Sequence, residues 1–521
     1  LRGILGEEIA IMLARVRSCA LLGLKGIPLE VEVDIANGLP AFDIIGLPDP
    51  SVREAKERVR AAVRNSGFEF PLRRITVNLA PADLKKEGTG FDLAIAVGLL
   101  AATGQLRSSE LLEKAILVGE LSLNGKLRGI PGVLPMAISL AGIKNLSQCV
   151  LYLPEDNTAE ASLVPELPSR GVATLKQLVS FFEGEISLPL AEPRREPSPA
   201  ESAAELDFAE IKGQETAKRA LEIAAAGAHN VLLYGPPGSG KTMLARRLPT
   251  ILPRPTRDEI LEITAIYSVA GRLRPDKPLV EQRPFRSPHH SASVAGIIGG
   301  GSIPRPGEVS LAHRGVLFLD ELPEYRREVL EALRQPLEDR VVTVTRAAAV
   351  LTYPADFIFA ASMNPCPCGY LNDPRRECTC SPAAVARYRS RLSGPLLDRI
   401  DLQVEVPRVD YEEMQQGRPG ERSAQIRARV EEARRRQLER YRGLKILTNA
   451  GLRPRHFEKY CPLTREAREL LHRAFQTLGL SMRAHDRIIK VARTIADLAA
   501  SEQIEAEHIA EAIQYRSLDR Q

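Results

Sequence analysis

The eight residues Gly235-Pro-Pro-Gly-Ser-Gly-Lys241-Thr242 constrain this chain more than any other feature. They follow the apolar run Asn230 to Tyr234 and open helical spacing over Lys241 to Leu248, so a buried strand must pass through a glycine turn straight into a helix. In that order, successive backbone N–H groups and the positive end of a helix converge on an anion. Gly235, Pro236, Pro237, Gly238, Ser239 and Gly240 are therefore expected to cradle the phosphates of a nucleotide. Lys241 would reach the terminal phosphates, and the Thr242 hydroxyl would hold Mg2+. A short strand that is apolar throughout is buried on both faces, which implies a parallel sheet with crossover helices.

A second apolar strand, Gly315 to Leu319, ends in Asp320 and Glu321. Taken alone, two acids at a strand end read as a solvated edge. Placed after a phosphate loop, they divide the labour of hydrolysis: Asp320 orients the magnesium ion and Glu321 polarises the attacking water. Phe357 to Ala361 is a further short strand of the same sheet.

Around this centre, 521 residues suffice for about three domains. With 44% apolar and 26% charged residues the chain is neither a disordered polymer nor a fibre. Residues 12–186 read as a mixed α/β domain, with strands at 29–35 and 75–79 and helices at 50–65 and 91–103. Residues 187–205, rich in Pro and Glu, read as a linker. Residues 206–410 would hold the phosphate-loop sheet and 411–521 a helical domain, with apolar periodicity over 467–480, 488–499 and 504–513. The run Met12 to Leu24 has the beginnings of a secretion signal, but Lys25 interrupts it and it reads as a first strand. Residues 1–11 precede the first Met and are expected to be an upstream extension. Phe91 to Thr103 is too short for a membrane span and carries Asp92, so no membrane partner is expected. Seven cysteines, an odd number, argue against a disulfide framework and for a reducing cytoplasm. A net charge of +5 leaves nucleic-acid binding to a local basic face, and the absence of Trp argues against base-stacking platforms.

Cys366, Cys368, Cys378 and Cys380 form two Cys-x-Cys pairs in one polar loop. Four thiolates within reach suit a structural Zn2+ that folds a loop too small for a core of its own, with no open position for catalysis. The alternative is four free thiols.

The wording of these motifs resembles the ComM/YifB family of magnesium-chelatase-like AAA+ ATPases. The resemblance rests on residues 233–248, on Arg-Ser-Pro-His-His-Ser (286–291), on Gly-Val-Leu-Phe-Leu-Asp-Glu-Leu-Pro-Glu (315–324) and on Met-Asn-Pro-Cys-Pro-Cys-Gly (363–369). Gly-Leu-Pro-Ala-Phe-Asp-Ile-Ile-Gly-Leu-Pro (38–48) and residues 78–84 extend it over nearly the whole chain from Met12. It implies an adenine-packing segment with Ile211, Gly213 and Gln214, a sensor at Asn364, an arginine finger at Arg399 acting on a neighbouring subunit, and a second sensor at Arg483 in a helical lid. A finger that acts in trans requires a ring, and the family's rings are homo-hexamers. Strands 341–345 and 349–353 with Arg346 at the tip resemble the hairpin insertion of this clade. A second insertion, 283–314, carries Arg286, His289 and His290. Arg346 is the preferred DNA contact, while the histidines read equally as loop supports. The arginine-rich segment 422–445 is interrupted by Glu431, Glu432 and Glu439 and reads as a solvated helix face in preference to a DNA patch, which stays open.

The N-terminal domain resembles the ribosomal-S5-like domain shared with Lon-type proteases. Gly90 stands where their nucleophilic serine would be and Leu134 where their lysine would be, so proteolysis is not expected. The resemblance implies an ATP-driven hexameric DNA motor that migrates branched recombination intermediates in natural transformation, with no small-molecule substrate beyond ATP. Two rivals are a chelatase-type assembly ATPase and an ATP-switched DNA clamp or regulator.

Overall fold

The computed structural model describes residues 12–107, 110–146, 148–192, 206–274, 276–301, 304–346, 349–373, 375–409 and 420–516. Residues 1–11, most of the expected linker, the residues between the strands of the 341–354 hairpin, and 410–419 lie outside them.

The first layer is a seven-stranded mixed sheet. In spatial order its strands are Ala41–Ile45, Arg74–Ala80, Lys25–Ala36, Met12–Leu22, Ala115–Leu117, Val150–Pro154 and Ser169–Val172. Met12–Leu22 is thus the expected first strand, paired antiparallel with Lys25–Ala36 along its whole length. Helix Pro50–Asn65 starts where the Asp49 carboxylate accepts from Val52 N at 2.8 Å, a side-chain N-cap just before Pro50. Helix Asp92–Ala102 is apolar on every side because it is buried all round. It lies so close to the sheet that a Cβ on Gly98 would stand 2.7 Å from Val33 Cγ2. Its one charge, Asp92, is held by Arg58 through Nε at 2.7 Å and Nη2 at 2.9 Å.

The second layer is a five-stranded sheet in the order Phe285–Arg286, Val316–Leu319, Ile358–Met363, Val231–Tyr234, Leu402–Glu405, parallel at every pairing. An α/β fold with a parallel AAA+-like core is therefore what the chain adopts. Its central strands are buried at every position, which accounts for their unbroken apolar sequence. Helices Glu215–Gly227 and Lys241–Ile251 contribute to one continuous core with helices Ser423–Arg440, Arg465–Leu478, Met482–Leu498 and Ala506–Gln514. Strands Val341–Arg346 and Ala349–Pro354 pair antiparallel, with Arg346 opposite Ala349.

Arg434 and Arg440 of the helix 423–440 depart from a solvated face. Half-buried Arg434 donates to Ala225 O at 2.8 Å, and Arg440 donates to the fully buried Asp497 at 2.5 and 2.9 Å. Arg435 follows the sequence reading, pairing in the exposed region with Glu432 and Glu439. Partners 57 residues apart cannot be read from local spacing.

The two layers meet where helix Val133–Ala141 packs on helix Arg257–Val269. Gly132 N donates to Ser268 O at 3.2 Å, and the Ser268 hydroxyl donates to Glu160. Glu160 also accepts from Leu134 N at 2.8 Å, and burial raises its carboxyl above the ordinary range.

Candidate functional site

The phosphate loop joins the end of strand Val231–Tyr234 to the start of helix Lys241–Ile251. Two of its glycines need their freedom: Gly238 has φ +78° and Gly240, the residue before the helix, has φ +90°. Gly235 is required for closeness instead, since a Cβ there would lie 2.2 Å from Val406 O. Gly235 N donates to Met363 O at 3.3 Å, tying the loop to the neighbouring strand.

Lys241 Nζ donates to Gly235 O and Pro236 O at 2.8 Å each, and to Asn364 Oδ1 at 3.3 Å. Burial lowers its pKa to about 8, against the opposing pull of Asp320 and Glu321. Thr242 Oγ1 donates to Asp320 Oδ2 at 2.8 Å, so a hydroxyl and a carboxylate converge at one point. These hard oxygen donors fit Mg2+, and Thr242 and Asp320 are the residues that would hold it. Glu321 follows with φ +54°, a left-handed turn that redirects the chain at the strand end.

Ser362 escaped the sequence reading. Its hydroxyl donates to Asp320 Oδ1 and accepts from Glu321 N at 3.2 Å, so it braces both acids from the adjacent strand. The signal was available as a lone hydroxyl in the otherwise apolar strand Ile358–Met363.

Beside the loop opens a cleft of about 700 Å³, lined among others by Gln214, Thr216, Tyr234, Pro407, Arg408 and Tyr515. Gln214, at φ +59°, reaches Pro407 O at 2.6 Å and Ser239 O at 3.4 Å, so it bridges the cleft and the phosphate loop. Ile211 is buried behind it and Gly213 turns at φ +61°. A cleft of this size beside the phosphate loop has room for a purine base. Pro407 and Arg408 were not anticipated, because only the fold brings them beside Gln214.

Arg399 lies elsewhere in the single chain. Its guanidinium is held by Glu338 and by Pro395 O at 2.6 Å, and its side chain is 13% exposed. Arg483 is 65% exposed and pairs with Asp398 at 2.9 Å. Among the described residues neither guanidinium hydrogen-bonds the phosphate loop, Asp320 or Glu321. The fold does bring the two arginines together, through the adjacent residues 398 and 399. Asp401, two residues further on, accepts from Arg487 Nη1 at 2.8 Å and faces His229 Nδ1 at 3.2 Å.

In the second insertion Arg286 makes a two-pronged pair with Glu308 at 2.6 and 2.7 Å, so its charge is already matched within the chain. The His289 and His290 rings lie 4.0 Å apart, with His290 edge-on to Tyr325. Arg346 ends its strand of the 341–354 hairpin. In the first layer Thr89 donates its hydroxyl to the Glu120 carboxylate, and Leu134 is fully buried.

The four cysteines come together. Cys366, Cys368 and Cys378 have Sγ atoms 3.4 to 3.7 Å apart, and all four sulfurs lie within 4.8 Å of one another. Sulfurs at the corners of a tetrahedron about 2.3 Å from zinc stand about 3.8 Å apart, so the cluster fits a Zn2+ ion.

Comparison with known proteins returns three family matches. Residues 207–414 match magnesium chelatase, subunit ChlI; residues 31–157 match subunit ChlI of Mg-chelatase; residues 420–516 match the C-terminal part of that subunit. The chain is 47% identical over 511 residues to the uncharacterized protein YifB of Salmonella typhimurium, covering 98% of each. It is 46% identical over 512 residues to the competence protein ComM of Haemophilus influenzae, again covering 98% of each. A shorter likeness, 34% over 146 residues, relates 27% of this chain to 26% of Lon protease 2 of Bacillus subtilis.

Proposed function

This chain belongs to the ComM/YifB family, with AAA+ ATPase domains like those of magnesium chelatase subunit ChlI, and from that premise we propose that the ATP it hydrolyses drives a homo-hexameric motor along branched DNA. The observation that carries this reading is the end-to-end likeness to a competence protein, joined to a phosphate loop whose Lys241, Thr242, Asp320 and Glu321 converge.

In this reading Lys241 and the backbone from Gly235 to Gly240 bind the phosphates, and Thr242 and Asp320 hold Mg2+. Glu321 activates water, Asn364 senses the γ-phosphate, and Ile211, Gly213 and Gln214 seat the base. Arg399 leaves Glu338 to reach the neighbouring subunit's nucleotide, and Arg483 reports nucleotide state from the lid, residues 411–521. Residues 12–186 form an S5-like, proteolytically inactive domain, joined by a linker at 187–205 to the ATPase core at 206–410. The 341–354 hairpin with Arg346, and the His289–His290 pair, face DNA in the ring. Arg286 serves the insertion's own architecture through Glu308. Cys366, Cys368, Cys378 and Cys380 hold structural Zn2+. No helix among the described residues is long and apolar enough to cross a membrane.

A chelatase-type assembly ATPase is the second reading. The three matched families all describe a chelatase subunit, which favours it more directly than they favour DNA. The deciding experiment measures ATP turnover and strand displacement by the purified chain with a four-way DNA junction, with Glu321→Gln as the hydrolysis-deficient control. The motor requires strong stimulation and product strands that the control does not yield. Unstimulated turnover with no strand movement refutes it in favour of the chelatase reading, and retention of DNA without displacement refutes it in favour of an ATP-switched clamp.

A further inference from the structure

The cysteine cluster is not a remote staple. The segment 363–369, which carries its first two cysteines, touches the phosphate loop at three points: Met363 O accepts from Gly235 N, Asn364 Oδ1 accepts from Lys241 Nζ, and Gly369 lies against Pro237. At the last of these, a Cβ on Gly369 would stand 2.7 Å from Pro237 Cδ and 3.8 Å from Asn364 Cγ. Gly369 has φ +84°, and its N–H donates to the carbonyl of Cys366, one of the four sulfur ligands.

A second route leads from the same loop to the cleft. Asp373 pairs with Arg408 at 3.3 Å, and the guanidinium carbons of Arg376 and Arg408 lie 4.1 and 5.4 Å from the centroid of the Tyr370 ring. Arg408 lines the cleft beside Gln214. The loop itself, with Asn372, Asp373, Arg375, Arg376 and Glu377, is polar and has no core of its own to hold this shape. Four converging thiolates are what can.

We propose that the Zn2+ held by Cys366, Cys368, Cys378 and Cys380 is a positioning element of the ATP site. By fixing Gly369 against Pro237, and Tyr370 and Asp373 against Arg408, it sets the phosphate loop, Asn364 and the cleft wall for nucleotide. ATP affinity therefore depends on zinc occupancy. This rests on the reading of the loop as a zinc site and of Gly235 to Thr242 as the ATP site. The zinc takes no part in the chemistry, since four thiolates complete its coordination.

The test uses the full chain and reads zinc content by release to a chromophoric chelator, and nucleotide affinity by a fluorescent ATP analogue with Mg2+. The native chain is expected to carry one zinc and bind the analogue. Cys378→Ser/Cys380→Ser is expected to lose the zinc and bind at least tenfold more weakly, and native protein stripped by chelator is expected to recover its affinity when zinc is returned. Gly369→Ala separates positioning from metal retention: it should keep the zinc yet lose affinity to a similar degree, at an unchanged unfolding midpoint. A zinc-free chain that binds the analogue within twofold of native overturns the coupling, as does Gly369→Ala with native affinity. A native chain without zinc overturns the metal reading. One with zinc but no nucleotide binding overturns the ATP-site reading together with the coupling.

Discussion

If Lys241 meets the phosphates of ATP as proposed, ATP binding depends on pH in a range where the nucleotide itself does not titrate. Burial lowers its pKa from the ordinary 10.5 to about 8, and the carboxylates of Asp320 and Glu321 recover only part of that loss. A bound triphosphate places several negative charges against the amine and holds it protonated, whereas the free chain releases its proton as pH rises past about 8. At pH 7 about 90% of the free chain carries the charged amine, and at pH 9.5 about 3% does, so affinity should fall by roughly 30-fold between the two. Terminal phosphates lose their last proton near pH 6, well below this window. Isothermal titration in buffers of different ionisation enthalpy reads the same event as proton uptake: about 0.1 proton per ATP at pH 7 and close to one at pH 9.5. Lys241→Arg stays charged throughout and should bind with a flat pH profile, whatever its absolute affinity. Flat affinity in the unsubstituted chain up to pH 9.5, with no proton uptake, refutes the reasoning. The same shift acts on folding with the opposite apparent benefit. Between about pH 8 and 10.5 the unfolded chain binds more protons than the folded one, so this lysine adds stability as pH rises.

Arg399→Ala should lower ATP turnover by about 10³ to 10⁵ while leaving nucleotide affinity nearly intact, because its partners within the chain are Glu338 and Pro395 O. Parallel loss of binding in an affinity titration would contradict a role in trans. Gly315→Ala places a Cβ 2.0 Å from Pro284 O at the edge of the parallel sheet, and should cost about 1 to 3 kcal/mol in denaturant unfolding. An unchanged midpoint would show that the edge strand yields freely. Asp401 is pushed up by burial but pulled below the ordinary carboxylate range by Arg487 and His229. Its contribution to stability is therefore complete above the unfolded value near 4 and is lost as pH falls through the lower folded value. Asp401→Asn should cost about 3 to 5 kcal/mol at neutral pH and flatten the acid limb of the stability curve, and an acid limb identical to that of the unsubstituted chain would refute the assignment.

What could be read from the sequence was local in the chain. The phosphate loop, the strand ending in Asp320 and Glu321, the paired cysteines and the amphipathic helices near the C-terminus are each encoded by neighbours, and the elements formed within a few residues of the expected bounds. The contacts that finish the site are not local. Ser362 braces two acids more than 40 residues away, Arg408 meets Gln214 only through the sheet order, and the closeness of Gly369 to Pro237 is a fact of packing. The arginines of 423–440 make the same point from the other side, since periodicity reports a helix face but not the distant carboxylate that waits for it.

The most consequential of these distant pairings surround Arg399. Asp398 is held by Arg483 and Asp401 by Arg487, and both arginines lie on helix Met482–Leu498, one turn apart. Asp401 also faces His229, whose other ring nitrogen meets Thr494 of that helix at 2.7 Å. The segment that carries Arg399 is thus gripped on both sides by the helix that carries Arg483. The Asp401 carboxylate is buried and its partner Arg487 only partly exposed, which limits screening, whereas the Asp398 pair lies toward solvent. If nucleotide shifts that helix through Arg483, the buried pair obliges residues 398–401 to follow, and the weaker outer pair is where the linkage can yield. In the proposed ring, Arg399 would then be presented to a neighbour according to what its own subunit has bound.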